Sequence, residues 1–204
     1  MMYFNINDDL VNPVKKCSVL WSGGSDSTSL VYNLLKRGIT VNTYYIELRN
    51  NPDKTKRELE ARSKILPMFE KIGNITDHGI VASLLVSPGT SFLCQGMAWA
   101  LLGVLSPDDD IALGYVMGDD AISFISEFKS IQKSYNKLRE SPQKLHYPLI
   151  KNTKKHWYDL LPLDIKKLIT WCEYKNDDNC SCKPCTRMNL ILDLESNKKE
   201  LKCY

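Results

Sequence analysis

The stretch Ser22-Gly23-Gly24-Ser25-Asp26-Ser27-Thr28 lies where a strand should pass into a helix, and it decides the fold of the chain. The apolar run before it predicts a buried strand over residues 14–21. Helical spacing predicts a helix over residues 29–37, which Gly38 would end. The two glycines allow a sharp turn and a close approach to a ligand, and the following helix directs its free N–H groups towards that turn. The stretch therefore predicts a phosphate-binding loop.

The rest of the chain alternates between strands and helices. Further strands are predicted over residues 39–48, 79–86 and 111–116, and further helices from residue 51 and over residues 91–105 and 121–138. This order predicts an α/β fold, with a Rossmann-like, mainly parallel sheet and helices on both faces. Ligands of such sheets bind beyond the carboxyl ends of the strands, where the loop lies. We expect a nucleotide-binding domain over residues 1–145 and a helical region over residues 146–204, joined in one compact unit.

Composition and charge fit a cytoplasmic enzyme. The chain has 204 residues and a net charge of +3, which is too small to make nucleic acid the expected main partner. The polar and acidic N-terminus does not resemble a secretory signal. The longest apolar stretch, residues 97–105, is far shorter than the roughly 20 residues that cross a bilayer. We therefore expect no membrane association.

The loop motif indicates which class of phosphate-binding loop the chain contains. It lacks the lysine of a G-x-x-x-x-G-K-[ST] loop and is too short for G-x-G-x-x-G. It resembles instead the S-G-G-x-D-S loop of the ATP pyrophosphatases, which cleave ATP between the α- and β-phosphates and adenylate a substrate oxygen. An ordinary capped turn uses the same residue types, so that alternative stays open.

A second motif lies near the C-terminus, where Cys172, Cys180, Cys182 and Cys185 fall within 14 residues. Disulfides are rare in the cytosol, and four thiolates suit a closed tetrahedral site for a structural Zn²⁺ ion. The alternative is a set of four unligated cysteines. The remaining cysteines, Cys17, Cys94 and Cys203, are predicted to be buried or incidental.

Taken together, the two motifs resemble the 7-cyano-7-deazaguanine synthases of queuosine biosynthesis. Ser87-Pro88-Gly89 resembles that family's V-P-G-R-N segment, with Thr90 in place of the arginine, and Tyr147-Pro148-Leu149 resembles its T-P-L segment. The resemblance implies that the protein converts 7-carboxy-7-deazaguanine and ammonia to a nitrile, using ATP, Mg²⁺ and one structural Zn²⁺. It also implies a homodimer, for which the apolar helices after residue 90 are candidates.

The resemblance also implies site residues. ATP would be bound by Leu20, Trp21, Ser22, Gly23, Gly24, Ser25, Asp26, Ser27, Thr28 and Gly114. Asp26 would either cap the helix or hold Mg²⁺, and Lys151 would neutralise developing charge; these two are the predicted catalytic residues. Pro88, Gly89, Asp119 and Asp120 would contact the substrate. The two aspartates suit its guanine-like edge, although a helix N-cap is an equally natural role for them. The three histidines and Glu47 are assigned packing or surface roles.

Two other classes of function remain open at this point. One is a different ATP pyrophosphatase, which thiolates tRNA or forms an amide. Thiolation would need a catalytic cysteine, and Cys94 is the candidate. The other is a non-catalytic module that binds nucleotide and zinc.

Overall fold

The computed structural model of the protein describes residues 15–174 and 180–200, with side chains up to residue 192. Its centre is a sheet of five parallel strands in the order β3-β2-β1-β4-β5. The strands are β1 Lys16–Leu20, β2 Thr40–Arg49, β3 Ile75–Leu85, β4 Asp110–Ala112 and β5 Leu145–His146. The predicted α/β class with a parallel sheet is confirmed. The order reverses at β1, so a ligand-binding crevice is expected beyond the carboxyl end of that strand.

Seven α-helices and a 3₁₀ helix are described around the sheet. The α-helices are α1 Ser25–Lys36, α2 Pro52–Glu70, α3 Ser91–Leu105, α4 Ile125–Asn136, α5 Lys154–Asp159, α6 Leu163–Lys166 and α7 Lys183–Glu200. The 3₁₀ helix spans Asp120–Phe124 and leads into α4. Within the described residues, no helix is both long and apolar enough to cross a bilayer.

Several element boundaries differ from the sequence predictions. Helix α1 begins at Ser25, four residues before the predicted start, so the motif itself forms the first helical turn. The predicted helix over residues 121–138 is divided, because Asp119 caps a separate 3₁₀ turn ahead of α4. Strand β3 begins at Ile75 and runs through Gly79, which was predicted to be its first residue. Gly79 has a φ of 65° at a shift in the β2–β3 register, so it forms a bulge.

The hydrophobic core has two parts. The first joins the β1–α1 unit to the C-terminal region, since Val19 and Leu34 belong to the same buried cluster as Trp157 and Met188. The second lies around Trp99, where α3 and α4 cover β4 and β5. Cys17 and Cys94 are buried as predicted, while Cys203 lies outside the described residues.

A buried polar network closes the amino end of the sheet. Asp109 Oδ2 accepts hydrogen bonds from Asn42 Nδ2 at 2.6 Å, Ser18 Oγ at 3.0 Å and Ser106 Oγ at 3.0 Å, and Lys16 Nζ lies 3.0 Å from Oδ1. Burial alone would raise the pKa of Asp109, but these hydrogen bonds outweigh it and hold the pKa below its ordinary value. This amino-end network ties the starts of β1 and β2 to the segment before β4.

Candidate functional site

The loop between β1 and α1, together with the first turn of α1, forms a cradle at the carboxyl end of the sheet. Gly23 has a φ of 76°, and a Cβ on it would lie 2.9 Å from the Glu58 carbonyl oxygen. The position therefore requires glycine both for its backbone conformation and for its space. Gly24 is the N-cap residue of α1, and no side chain caps the helix there. The N–H groups of the first turn are consequently available to an anion.

The cradle is held from behind by three contacts. The Thr170 N–H donates to the Gly23 carbonyl at 3.2 Å, and the Trp21 N–H donates to the Tyr44 carbonyl at 2.9 Å. The buried guanidinium of Arg62 donates to the Trp21 carbonyl oxygen and pairs with Asp77. Sequence reasoning missed Arg62 and Thr170, because only the folded chain brings them to the loop.

The hydroxyl groups of the motif have two different roles. Ser22 Oγ and Ser27 Oγ lie 3.0 Å apart and, together with Ser25, line an open cavity. The Thr28 hydroxyl is fully buried and accepts the Trp21 indole N–H at 3.1 Å. Thr28, predicted to contact phosphate, therefore packs the loop against the core.

An ion pair between Asp26 and Lys154 lies at the edge of the cradle. Lys154 Nζ is 2.7 Å from Asp26 Oδ2 and 3.3 Å from Ser25 Oγ. Burial raises the pKa of Asp26 above its ordinary value, and the ion pair with Lys154 offsets part of that rise. Both side chains line the cavity, whereas the predicted Lys151 is exposed and does not line it. No sequence signal distinguished Lys154 from its neighbour Lys155, whose ammonium pairs with Asp159.

The cavity in front of the cradle has a volume of about 670 Å³. Of the residues predicted to bind ATP, Leu20, Trp21, Ser22, Gly24, Ser25, Asp26, Ser27 and Gly114 line it, whereas Gly23 and Thr28 support it from behind. On the β2 side it is lined by Tyr45, Ile46, Leu48 and Asn50, and on the α3 side by Phe92, Gln95, Trp99 and Tyr115. The volume lies within the range of pockets for small molecules and cofactors, roughly 300–1,000 Å³.

A carboxylate on α2 also reaches this cavity. The Tyr45 hydroxyl donates to Glu58 Oε2 at 2.6 Å, and both residues are in the cavity wall. Burial raises the pKa of Glu58, and Lys54 offsets part of that effect. Glu47, in contrast, accepts a hydrogen bond from Ser83 on the neighbouring strand and does not line the cavity.

The residues predicted to contact substrate are only partly brought together. Asp119 and Asp120 line the cavity, but Pro88 and Gly89 do not. Phe92 and Gln95, which follow them in α3, line it instead. Asp119 Oδ1 accepts the Ala121 N–H at 3.0 Å, which is the N-cap role that the sequence left open. Asp120 pairs with Lys183 and Arg187 of α7.

The four cysteines of the C-terminal motif converge to form the cysteine cluster. Their Sγ atoms all lie within 4.8 Å of one another, and those of Cys172 and Cys180 are 3.5 Å apart. A tetrahedral Zn²⁺ ion with Zn–S bonds of about 2.3 Å places its sulfurs about 3.8 Å apart. The cluster therefore fits a single bound metal ion, and Cys172 and Cys182 also border the cavity.

The start of α2 connects the cysteine cluster to the cradle. Arg57 Nη2 donates to the Cys172 carbonyl at 3.1 Å, and Lys54 Nζ lies 2.8 Å from a Glu173 carboxylate oxygen. Because Thr170 contacts the Gly23 carbonyl, only one residue separates the cradle contact from the first cysteine of the cluster. The cluster and the cradle thus share one wall of the cavity.

Each of the three histidines contacts a neighbouring side chain. His78 stacks on Tyr44 with ring centroids 4.3 Å apart, and His156 packs edge-on against Trp157. His146 Nε2 lies 2.9 Å from Asp110 Oδ2 at the far end of the sheet. Cys94, the candidate for a thiolation cysteine, is buried and does not line the cavity.

Comparisons with known proteins give a likeness of fold alone. The sequence matches no protein-family model and no curated protein. Among solved structures, the U34-tRNA thiolase NcsA from Methanococcus maripaludis, which contains a [4Fe-4S] cluster, aligns with a TM-score of 0.50 and 17% identity. That alignment covers 95% of this chain and 68% of the thiolase.

Two further solved structures align less closely. A predicted subunit of a tRNA methyltransferase from Methanocaldococcus jannaschii aligns with a TM-score of 0.45 and 17% identity, covering 71% of this chain and 74% of that one. NMN synthetase from Francisella tularensis aligns with a TM-score of 0.38 and 15% identity, covering 91% and 87%. At these TM-scores the two structures give no further information about the function of this protein.

Proposed function

We propose that the protein is an ATP pyrophosphatase that adenylates a carboxylate substrate. The observation that carries this proposal is the cradle: an S-G-G-x-D-S loop at the start of a helix, facing a cavity beside the Asp26–Lys154 ion pair. Helix N-termini with free N–H groups favour phosphate, and the likeness to the thiolase fold is consistent with this use.

In this proposal the cradle holds the β- and γ-phosphates of ATP. The N–H groups of the first turn of α1 and the hydroxyls of Ser22, Ser25 and Ser27 donate to phosphate oxygens. Asp26 would provide an oxygen ligand for Mg²⁺, a hard cation that would supply charge neutralisation for the leaving pyrophosphate. Lys154 takes the cationic role expected of Lys151, because its ammonium lies beside Asp26 at the cavity edge.

The substrate that best suits the motifs is 7-carboxy-7-deazaguanine, with ammonia as the second substrate. A carboxylate oxygen attacks the α-phosphorus, the bond to the β-phosphate breaks, and pyrophosphate leaves. Ammonia then displaces AMP to give the amide and a proton. The amide oxygen then attacks the α-phosphorus of a second ATP, which releases pyrophosphate and one proton from the amide nitrogen. Loss of AMP and the second proton leaves the nitrile. The protein's task is to align the reactants and stabilise the charge that develops.

The heterocycle would lie on the α3 side of the cavity. Phe92 and Tyr115 offer aromatic surfaces there, and Asp119 has a second carboxylate oxygen for an N–H donor. The Pro88-Gly89 turn leads into α3 and, in this proposal, sets the position of that helix.

The cysteine cluster is proposed to hold a structural Zn²⁺ ion. A four-iron cluster would keep its thiolates further apart, because the iron–sulfur cube stands between them, whereas sulfurs within 4.8 Å of one another suit one ion. The proposal also includes a homodimer formed through α3. That helix carries no charged residue and exposes Leu93, Met97 and Val104.

One assay separates the candidate functions. Purified protein with ATP, Mg²⁺, ammonia and 7-carboxy-7-deazaguanine should release pyrophosphate and AMP, with the amide and the nitrile detected by mass spectrometry. Pyrophosphate release that depends on tRNA and a sulfur donor would indicate thiolation instead. ATP binding without turnover would indicate a nucleotide-binding module. Lys154→Ala should abolish the activity, while the matched control Lys155→Ala, which loses only the exposed pair with Asp159, should retain it.

A further inference from the structure

Two cations of α7 converge on one carboxylate in the wall of the cavity. Arg187 Nη2 lies 3.0 Å from Asp120 Oδ1, and Lys183 Nζ pairs with Asp120 Oδ2. All three residues line the cavity in front of the cradle. Lys183 and Arg187 are four residues apart on α7, so their side chains lie on the same face of the helix. We call these two residues the cation pair.

The ion pairs of Asp120 with Lys183 and Arg187 contribute little to the stability of the fold. The three side chains are between 37% and 64% exposed, and ion pairs this accessible to solvent add little to the free energy of unfolding. The backbone of Lys183 is nevertheless constrained, because the residue lies between Cys182 and Cys185 of the cysteine cluster. The cluster therefore presents two cations to the cavity from a constrained backbone.

We propose that the cation pair binds the carboxylate of the acid substrate, and that Asp120 occupies the pair only while the substrate is absent. This inference rests on the proposed adenylation of a carboxylate. The group that the pair holds is itself a carboxylate, with one cation on each oxygen. The substrate's carboxylate would exchange with that of Asp120 and bring an oxygen towards the α-phosphorus.

A terminal phosphate of ATP is the other anion that the pair could bind. The cradle already offers phosphate the N–H groups of α1, three hydroxyls and Lys154, so the cation pair is left for the second reactant. The carboxylate and the phosphate are distinguished by which ligand, the acid or the nucleotide, binds more weakly when Lys183 or Arg187 is substituted.

The test uses calorimetric titration of the full-length protein. The wild type is titrated with 7-carboxy-7-deazaguanine, with the analogue 7-deazaguanine that lacks the carboxylate, and with α,β-methylene-ATP. Arg187→Ala and Lys183→Ala should each weaken binding of the acid on the order of 10- to 100-fold, the range expected when a charge-assisted hydrogen bond is lost. Binding of the analogue and of the nucleotide should not change.

Asp120→Asn gives the sharper result. The asparagine has no charge to compete for the cations, so the acid should bind at least as tightly as it does to the wild type. If Asp120 instead recognises the heterocycle directly, the same variant should bind both the acid and the analogue more weakly, and the inference is then wrong. Lys155→Ala and Asp159→Asn, the two halves of an exposed pair elsewhere, serve as controls.

Several other results would overturn the inference. Unchanged acid binding in Arg187→Ala, or an equal loss of nucleotide binding, would show that the pair does not receive the substrate's carboxylate. Metal content and thermal midpoint, measured for each variant, identify any change in fold. Wild-type protein that binds the acid but releases no pyrophosphate would contradict the proposed function and leave the binding test valid. Wild-type protein that binds no acid would refute both.

Discussion

The two ends of the sheet each place a carboxylate among polar partners, but they do so in opposite ways. At the amino end, Asp109 receives hydrogen bonds from three side chains and an ion pair from Lys16, and its pKa is held low. At the carboxyl end, Asp26 has Lys154 as its cationic partner, faces a cavity, and has a raised pKa. The amino end is closed on itself, whereas the carboxyl end faces an open cavity.

We relate this difference to a structural role for Asp109 and to the proposed ligand-binding role of Asp26. A buried polar network whose members satisfy one another fixes strand register and gains nothing from a ligand. A carboxylate beside free helix N–H groups and one cation can still bind a metal ion or meet a phosphate. Substitutions at the two ends should therefore have effects of different kinds.

The largest expected effect is the loss of activity in Asp26→Asn. The variant removes the proposed Mg²⁺ ligand and leaves Lys154 without its partner, so kcat should fall on the order of 100- to 1,000-fold or more. Steady-state pyrophosphate release measures this, and circular dichroism should show an unchanged fold. Asp159→Asn, from the exposed pair with Lys155, is the matched control and should keep full activity.

Asp109→Ala should instead lower stability and leave ATP binding unchanged. Removing this buried carboxylate takes a shared acceptor from Ser18, Asn42 and Ser106, which should lower the free energy of unfolding on the order of 3 kcal/mol. Urea denaturation measures the change, and the KM for ATP should stay the same where the variant is folded. A variant as stable as the wild type would contradict the structural role of the amino-end network.

The cradle turn can be tested with two glycines that have nearly the same positive φ. Gly23 and Gly38 have φ values of 76° and 73°, but a Cβ would meet the Glu58 carbonyl only at Gly23 and nothing within 4 Å at Gly38. Gly38→Ala should therefore cost about 1–2 kcal/mol of stability, the cost of the left-handed conformation alone. Gly23→Ala should cost more and should also weaken ATP binding. Equal effects in the two variants would show that the close approach at Gly23 is unimportant.

The metal site gives a prediction with a different readout. If the cysteine cluster holds zinc as proposed, Cys182→Ser should contain less zinc than the wild type by elemental analysis and should melt at a lower temperature. Cys94→Ser is the control, because that thiol is buried away from the cluster and the variant should keep its zinc. A zinc-replete Cys182→Ser protein would contradict the proposed ligand set.

The smallest expected effect is in the pH dependence of stability. The low pKa of Asp109 means that its contribution is present above the unfolded pKa and is lost as pH falls through the folded value. The raised pKa of Asp26 gives the opposite pH dependence, because folding favours its protonated form. Its contribution to stability is present below the unfolded pKa and is lost as pH rises through the folded pKa. The wild type should thus gain stability with pH relative to Asp109→Asn and lose it relative to Asp26→Asn. If the stability of the wild type relative to each variant changed with pH in the same direction, the contrast between Asp109 and Asp26 would be wrong.

The sequence predicted the parts of the molecule that are set by local pattern. The β1–loop–α1 unit, the parallel sheet and the convergence of four cysteines each follow from residues close together in the chain. Boundaries were less accurate where tertiary contacts decide them. The bulge at Gly79 depends on pairing with β2, and the 3₁₀ turn before α4 depends on the Asp119 cap.

The residues that sequence reasoning missed reach the site from distant parts of the chain. Lys154 is 128 positions after Asp26, and nothing in its neighbourhood distinguishes it from a solvated lysine. Arg62 supports the Trp21 carbonyl from the middle of α2, while Lys183 and Arg187 approach from α7. Such contacts arise from how the elements pack and leave no local signal.

The central claim is that the start of α1 binds the polyphosphate of ATP. A crystal structure of the protein with α,β-methylene-ATP and Mg²⁺ tests it most directly. We predict density for the β- and γ-phosphates against the first turn of α1, in contact with the Ser22 and Ser27 hydroxyls and beside Lys154. An empty cradle, or phosphates bound to Lys183 and Arg187 instead, would contradict the account.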